Sequence, residues 1–387
     1  MYVKKVRLTN FRNYKTAEVE LSPGVNLFFG PNGQGKTNLV EAVNFFASLS
    51  SHRVAGHTPL IKQGEQSAII SLDLAHQERE LLLEYEINND SPNRARLNKS
   101  PVQKPKDILG YLNSVIFAPE DIDIVKRDPT NRRAFIDQLI IQFTPRMLGV
   151  YSDYERVLKQ RNTLLKSARA TGTRGDALST LSAWDESLVK FGSEIISARV
   201  AIISKLSPGL ISNYQNIAKT NNEPRMFIKS SIFGATPLDG EEAEDVQYLD
   251  ISDREEISGL FSEKLASLRQ KEIERGITLV GPHRDDLVLI LGSLPAKGYA
   301  SHGESWSYAL SLRLASLEIL RQESKLGDPI LILDDVFAEL DSDRRAKLSE
   351  LVQGNEQVLI TAAVIEDVPA SLVAKRFSVV AGEIANG

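Results

Sequence analysis

VNLFFGPNGQGKT, residues 25–37, decides how this chain folds. An apolar run (Val25, Leu27, Phe28, Phe29) leads into Gly30–Thr37, which has the phosphate-loop pattern G-x-x-x-x-G-K-T. The stripe Leu39, Val40, Val43 and Phe46 then predicts a helix over Thr37–Leu49. In such a strand–loop–helix unit the glycines let backbone N–H groups turn toward phosphate oxygens, and the helix N-terminus adds partial positive charge. Gly30, Pro31, Asn32, Gly33, Gln34, Gly35, Lys36 and Thr37 are therefore the nucleotide-binding candidates. Lys36 would reach the β- and γ-phosphates, and the Thr37 hydroxyl would ligate Mg²⁺.

Near the other end of the chain, ILILDDVFAELD (Ile330–Asp341) reads as a buried strand that ends in two acids. Asp334 would hold Mg²⁺, directly or through water, and Asp335 would orient and deprotonate the attacking water. Lys36 and Asp335 are the catalytic candidates, and Thr37 and Asp334 the metal ligands. The distance between the two half-sites predicts one nucleotide domain built from both chain ends, with something else inserted between them.

Composition fits that plan. At 387 residues, 42% apolar and 25% charged, the chain is long enough for two ordinary globular domains. With no cysteine, disulfides, thiolate metal sites and cysteine nucleophiles are excluded, and five scattered histidines form no H-E-x-x-H pattern. No uninterrupted apolar run reaches the roughly 18 residues of a spanning helix. The N-terminus MYVKKVRLTNFRNYK has no signal core, so a cytoplasmic protein with no membrane partner is expected. Net charge is −5, yet basic residues cluster between Lys126 and Arg174, and ten acids face Arg254 between Asp239 and Glu263. The bland reading is a solvated helix face and an acidic loop; the other is a local field for a polyanion.

The remaining periodicities place the insert. Strands are expected at Tyr2–Leu8, Thr16–Leu21, Ala68–Leu74, Leu81–Ile87 and Ser114–Phe117, with an exposed loop over Asn88–Lys106. From about Asp121 the period turns helical: Tyr151, Tyr154, Leu158 and Leu165 share one face, and Leu181 to Ile202 share another. The second stripe predicts a helix of about 30 residues, ~45 Å long, and ARATGTRGD (Ala168–Asp176) breaks the two helices. A helix over about Glu255–Glu274 ends the insert. Strands at Leu287–Leu291, Pro329–Leu333 and Gln357–Thr361, with helices at Ser305–Glu323 and Ser342–Val352, resume the α/β pattern. The expected division is a head from residues 1–120 and 275–387, and a mainly helical arm from 121–274.

Two further segments look like parts of an ABC-type ATPase. Asp341 stands where the D-loop acid falls. SHGES (Ser301–Ser305), just before a leucine-striped helix, stands where the signature Ser-x-Gly-Gly-Gln falls, and there Ser301, Gly303 and Glu304 would meet a γ-phosphate held by another subunit. The simpler reading of SHGES is a helix cap.

The chain resembles the RecF recombination mediators of bacteria over nearly its full length. The resemblance rests on LTNFRNY (Leu8–Tyr14), GPNGQGKTNLVEA (Gly30–Ala42), FAPEDIDIVK (Phe117–Lys126), PTNRRAFID (Pro129–Asp137), QRNTLLK (Gln160–Lys166), GPHRDDL (Gly281–Leu287), SHGESW and ILDDVFAELD. It implies an α/β fold: an ABC-type P-loop ATPase head, with a mixed sheet, flanking helices and an antiparallel β part, carrying an inserted mainly helical arm. It also implies an ATP-dependent homodimer with ATP sandwiched between heads, weak DNA-stimulated hydrolysis, and DNA binding where single strand meets duplex at gaps. RecO and RecR would be partners, and RecA would be loaded indirectly. Lys126, Arg127, Arg132, Arg133, Lys159, Arg161 and Lys166 become DNA-phosphate candidates, though some can instead bridge acids within the arm. Arg284 and Asp285 of GPHRDD have an ion pair as their structural alternative. Glu304 stands where the family commonly has an amide, Glu120 where a Q-loop Gln is expected, and Thr361 where transporters have a switch His. Two other classes compete: an ABC transport ATPase, which needs a membrane partner and a more compact insert, and an SMC-like scaffold with incidental hydrolysis.

Overall fold

The computed structural model describes residues 1–386 except 55, 78, 172–178, 219–221, 234–247, 325 and 373. In chain order, β1 (Tyr2–Phe11), β2 (Tyr14–Glu20), β3 (Gly24–Phe29), α1 (Lys36–Ser48), β4 (Ser67–His76), β5 (Arg79–Asn88), β6 (Arg94–Leu97), β7 (Ser100–Pro101) and β8 (Ser114–Phe117) come first. Then follow α2 (Ile122–Lys126), α3 (Pro129–Phe143), α4 (Met147–Thr171), α5 (Ser179–Ile217), β9 (Pro224–Lys229), α6 (Arg254–Arg275), β10 (Asp286–Leu291), β11 (Leu294–Pro295) and α7 (Ala296–Tyr299). The last elements are α8 (His302–Glu323), β12 (Ile330–Asp334), α9 (Ser342–Val352), β13 (Gln357–Ala362), β14 (Ala374–Val380) and β15 (Glu383–Asn386).

The chain divides into two compact units, the first from Met1–Ile122, Ser212–Lys219 and Trp306–Gly387, the second from Asp123–Ile211 and Thr220–Ser305. The second unit thus runs on to Ser305, where the sequence places its end at residue 274.

In the first unit, strands from both chain ends share one sheet of order β15-β14-β3-β13-β12-β8. β3 lies between β13 and β14, with Val25 opposite both Val358 and Ala374, and every pairing except β14–β15 is parallel. A parallel sheet covered on both faces needs strands that are apolar throughout. ILIL, SVIF and QVLITA meet that need, and β8, β12 and β13 are buried at every position. The other sheet is antiparallel, order β2-β1-β4-β5-β6-β7. Gln357, fully buried, ties the two sheets: its Oε1 accepts from Val3 N (2.8 Å), and its Nε2 donates to Val3 O (2.9 Å) and Ser22 O (3.1 Å). The segment expected as a loop over Asn88–Lys106 contains β6 and β7. β6 is short and alternates Arg94, Ala95, Arg96, Leu97, so its only fully buried residue is Ala95 and the hydrophobic signal is faint.

In the second unit α4 packs on α6, and α3 on β10. The expected strand at Leu287–Leu291 forms, but it pairs with β9, which the sequence reading missed, and with β11. α5 has 39 residues, beyond the 30 expected. Its stretch Thr180–Ile217 is long and apolar enough to cross a membrane by length and composition, although 44% of the most apolar window is buried inside the fold. The break over Ala168–Asp176 and the acids Asp239, Glu241, Glu242, Glu244 and Asp245 fall mainly or wholly outside the described residues.

Candidate nucleotide-binding site

β3 carries Gly30–Thr37 to the C-terminal edge of the parallel sheet, where α1 begins at Lys36. Two glycines are forced there. Gly30 has φ 146°, and a Cβ on it would lie 2.3 Å from Val379 O; Gly35 has φ 115°, and a Cβ would lie 2.7 Å from Asn13 Nδ2. The N-terminus of α1 has no side-chain cap and no acid in its first turn, so its N–H groups and positive end are open to an anion.

β12 delivers Asp334 beside this loop. Asp334 Oδ1 accepts from Thr37 Oγ1 (2.9 Å) and from Thr361 Oγ1 (2.5 Å) at the end of β13. Burial raises the Asp334 carboxyl above its ordinary value, and the Thr361 and Thr37 hydroxyls pull it back. Asp335 turns away with φ 56°, a conformation that non-glycine residues rarely hold. Its N–H is fixed by Thr361 Oγ1 (2.9 Å), and its Oδ1 is buried without a hydrogen-bond partner. Lys36 Nζ donates to Gly30 O (2.6 Å) and Pro31 O (3.0 Å), curling over the loop. Burial lowers its ammonium below the ordinary lysine value, opposed by Asp335 and Asp334.

A cleft of about 380 Å³ lies between these groups, lined by Asn32, Gly33, Gly35, Lys36, Thr37, Asn38, Arg53, Asp335 and Thr361. Its hard oxygen donors, a threonine hydroxyl and an aspartate, suit Mg²⁺, which takes one or two protein ligands and completes its shell with phosphate and water. The lone carboxylate oxygen of Asp335 is an acceptor left for a water or a ligand.

Several residues here escaped the sequence reading. The turn between β1 and β2 grips the loop: Tyr14 Oη donates to Gly35 O (2.9 Å), and Asn13 Nδ2 to Gln34 O (3.1 Å). Gln34 Oε1 in turn accepts from Ala381 N (2.6 Å). Glu41, buried on α1, is held by both Arg12 Nε (2.8 Å) and Nη2 (2.5 Å) and by Ser51 Oγ (2.5 Å). Arg53 Nη1 bonds Asn38 Oδ1 (2.9 Å) and points a second cation at the cleft. LTNFRNY was visible as a motif, but nothing in its spacing shows that it folds back on the loop; Arg53 had no signal. Thr361 gains a definite place as the bridge between Asp334 and Asp335. Glu120 is exposed, and its charge adds to the rise at Asp334; its neighbour Asp121 is the residue engaged by Ala118 N (2.9 Å) and Arg313 Nη2 (2.6 Å).

The remaining candidates separate. Asp341 caps α9, accepting from Arg344 N (2.9 Å). Ser301, Gly303 and Glu304 lie in the second unit at the start of α8. Of the basic set, Arg161 is fully buried and donates to Asp185 (2.7 Å), Thr278 Oγ1 (2.8 Å) and Glu272 (2.6 Å). Arg132 is buried and forks onto Asp286 (2.7 and 2.9 Å). Neither has a charge to offer DNA, because each guanidinium is already matched by carboxylate inside the fold. Arg133 is partly withdrawn, donating to Asp285 O (2.7 Å). Lys159 and Lys166 are exposed on α4, Arg127 is exposed beside Asp123, and Lys126 Nζ lies 3.1 Å from His302 Nδ1. The Arg284–Asp285 ion pair weighed as the structural alternative does not form. Asp285 is taken by Ser230 Oγ (3.0 Å), Ser231 N (2.7 Å) and Ser231 Oγ (2.9 Å), while Arg284 donates to Thr278 O.

Comparison with known proteins bears on the same features. The family profile described as RecF/RecN/SMC N terminal domain matches residues 2–377. The chain is 52% identical to the DNA replication and repair protein RecF of Clavibacter michiganensis subsp. michiganensis, covering 99% of this chain and 96% of that one. It is 51% identical to that of Leifsonia xyli subsp. xyli, with 99% of each covered. Among solved structures it is similar to the recombination mediator protein RecF-ATPrS in the RecFOR pathway, with TM-score 0.86, 28% identity and coverage of 100% and 98%. The corresponding RecF-ATP structure gives TM-score 0.85 at 28% identity, with coverage of 100% and 97%. The Smc head domain of Pyrococcus furiosus, at TM-score 0.52 and 16% identity with coverage of 100% and 96%, shares the fold.

Proposed function

Since the chain belongs to the RecF family of DNA replication and repair proteins, we propose that it is an ATP-operated DNA-binding switch acting at single-strand gaps. ATP would lie along Gly30–Thr37, with its phosphates over the open end of α1. The observation that carries this reading is the convergence of Thr37, Thr361 and Asp335 from both chain ends on one cleft, with Asp334 hydrogen-bonded to both threonines. Thr37 and Asp334 would hold Mg²⁺, which supplies charge neutralisation at the phosphates when bound. Lys36 exchanges its two carbonyl partners for phosphate oxygens. The unpartnered oxygen of Asp335 takes a proton-bearing water and aligns it. A left-handed backbone held by Thr361 keeps that carboxylate from relaxing away.

One chain supplies the phosphate loop and the paired acids; a second copy would supply Ser301 and Gly303, with Asp341 at the junction. ATP would thereby drive homodimerisation, and slow hydrolysis would release it. DNA phosphates would be met by Lys126, Arg127, Lys159 and Lys166, with RecO and RecR as partners and RecA loading as the outcome. The setting is cytoplasmic. The test is DNA binding to a gapped duplex with ATP, without ATP, and with Lys36→Arg. Tight binding only for the ATP-loaded parent chain is expected; equal affinity in all three overturns the switch.

A further inference from the structure

Both ring nitrogens of His52 are buried, and neither has a hydrogen-bond partner among the described residues. An unpaired buried polar group is destabilising, so the ring calls for a reason to be there. Its backbone is well anchored. Ser51 Oγ accepts from Arg53 N (2.9 Å) and Val54 N (3.2 Å), and donates to Glu41 Oε1 (2.5 Å) on α1. The next side chain, Arg53, lines the nucleotide cleft with Thr37, Asp335 and Thr361. A turn tied to α1 on one side and to the cleft on the other thus fixes where His52 sits.

The charges that act on the ring are carboxylates: Glu41, Asp334, Asp121 and Glu120. Three of them are engaged elsewhere, Glu41 by Arg12, Asp121 by Arg313, and Asp334 by Thr37 and Thr361. Burial outweighs their pull and holds the imidazole below its ordinary value, so the ring is neutral at pH 7. A neutral imidazole offers one acceptor and one donor. Acidic surroundings would repel a phosphate and attract a hydrated cation. Mg²⁺ keeps several of its waters, and outer groups that bind those waters orient the site.

Resting on the reading of Thr37 and Asp334 as the Mg²⁺ ligands, we propose that His52 is a positioning residue for the hydrated cation, one ring nitrogen accepting from a coordinated water and the other donating to the waters behind it. His52 touches neither the nucleotide nor the metal. Affinity for Mg²⁺ depends on it, and affinity for the nucleotide alone does not.

The experiment titrates buffered free Mg²⁺ into the full chain saturated with a fluorescent methylanthraniloyl-ATP and reads the concentration for half-maximal change. The variants are His52→Phe, His52→Gln and Asp334→Asn, each with a melting curve in chelator to confirm folding. His52→Phe should raise the Mg²⁺ requirement about tenfold, with nucleotide affinity in chelator unchanged and the melting temperature not lowered. His52→Gln, whose amide both accepts and donates, should raise it less. If Asp334→Asn raises the requirement and His52→Phe does not, the role is overturned and His52 is a core histidine. If Asp334→Asn also leaves it unchanged, the reading of the cation site falls, and the role of His52 with it. A measurement on the parent chain stands apart from variant stability. The His52 ring ¹⁵N resonances, identified by their loss in His52→Gln, should move when Mg²⁺ joins the bound ATP; resonances that stay in place overturn the assignment.

Discussion

At the scale of the residue, the site turns on how one threonine divides two adjacent acids. Thr361 donates its hydroxyl to Asp334 and accepts the N–H of Asp335. This fixes Asp334 inward beside Thr37 and leaves Asp335 Oδ1 buried with no partner. Leaving a buried acceptor unpaired costs about 1–3 kcal/mol, and the left-handed φ of 56° adds to that. A chain keeps such a residue where the oxygen has a task. Asp335→Asn removes the proton acceptor and preserves shape. Single-turnover ATP hydrolysis should fall about 100-fold or more, while ATP-driven dimer, followed by sedimentation, persists. Loss of hydrolysis together with loss of the dimer assigns Asp335 to nucleotide binding instead.

At the scale of the element, legibility followed the strength of each local signal. β3, α1, β8, β12 and β13 were readable because a parallel sheet with both faces covered writes itself as apolar runs, and the phosphate loop as fixed glycines. β6 and β9 were not, since RARL and PRMFIK mix charge and burial and owe their existence to β5 and β10 beside them. The same limit hid Asn13, Tyr14 and Arg53, whose roles come from a turn folding back over residues distant in sequence. In GPHRDD, Gly281, Pro282 and Asp285 are buried while Arg284 is exposed. His283 Nδ1 of the same segment meets the Tyr154 hydroxyl at 2.7 Å, and burial, then Arg284, push the imidazole down to about 4. A group whose folded value lies below its unfolded one, near 6.5 for histidine, stabilises fully above the unfolded value. That contribution is lost as pH falls from 6.5 toward 4 and amounts to about 3 kcal/mol when complete. Urea midpoints of the parent and of His283→Gln should therefore converge between pH 6.5 and 4, with the parent losing more. Parallel pH profiles would show that the imidazole does not carry the acid sensitivity.

At the scale of the whole molecule, a net charge of −5 conceals two kinds of cation that sequence alone scores alike. Arg161 and Arg132 spend their charge inside the second unit, on Asp185, Glu272 and Asp286. Removing the Arg161 guanidinium leaves the fully buried Glu272 without its counter-charge, although Asp185 keeps Arg269, a loss of about 3–5 kcal/mol. Lys159 and Lys166 are exposed on α4, where a solvated lysine adds little to stability. A lysine that neutralises one DNA phosphate, however, contributes about one unit to the slope of log affinity against log salt. Stability and DNA affinity should accordingly separate between the two classes. Lys159→Ala with Lys166→Ala should leave the melting temperature within a degree or two, weaken binding to gapped duplex with ATP, and reduce the salt slope by about two if both touch phosphate. Arg161→Ala should lower the melting temperature strongly, and at a temperature where it remains folded its salt slope should match the parent's. If the lysine pair leaves the slope unchanged, this part of the arm is a solvated face and the DNA path lies elsewhere on the chain.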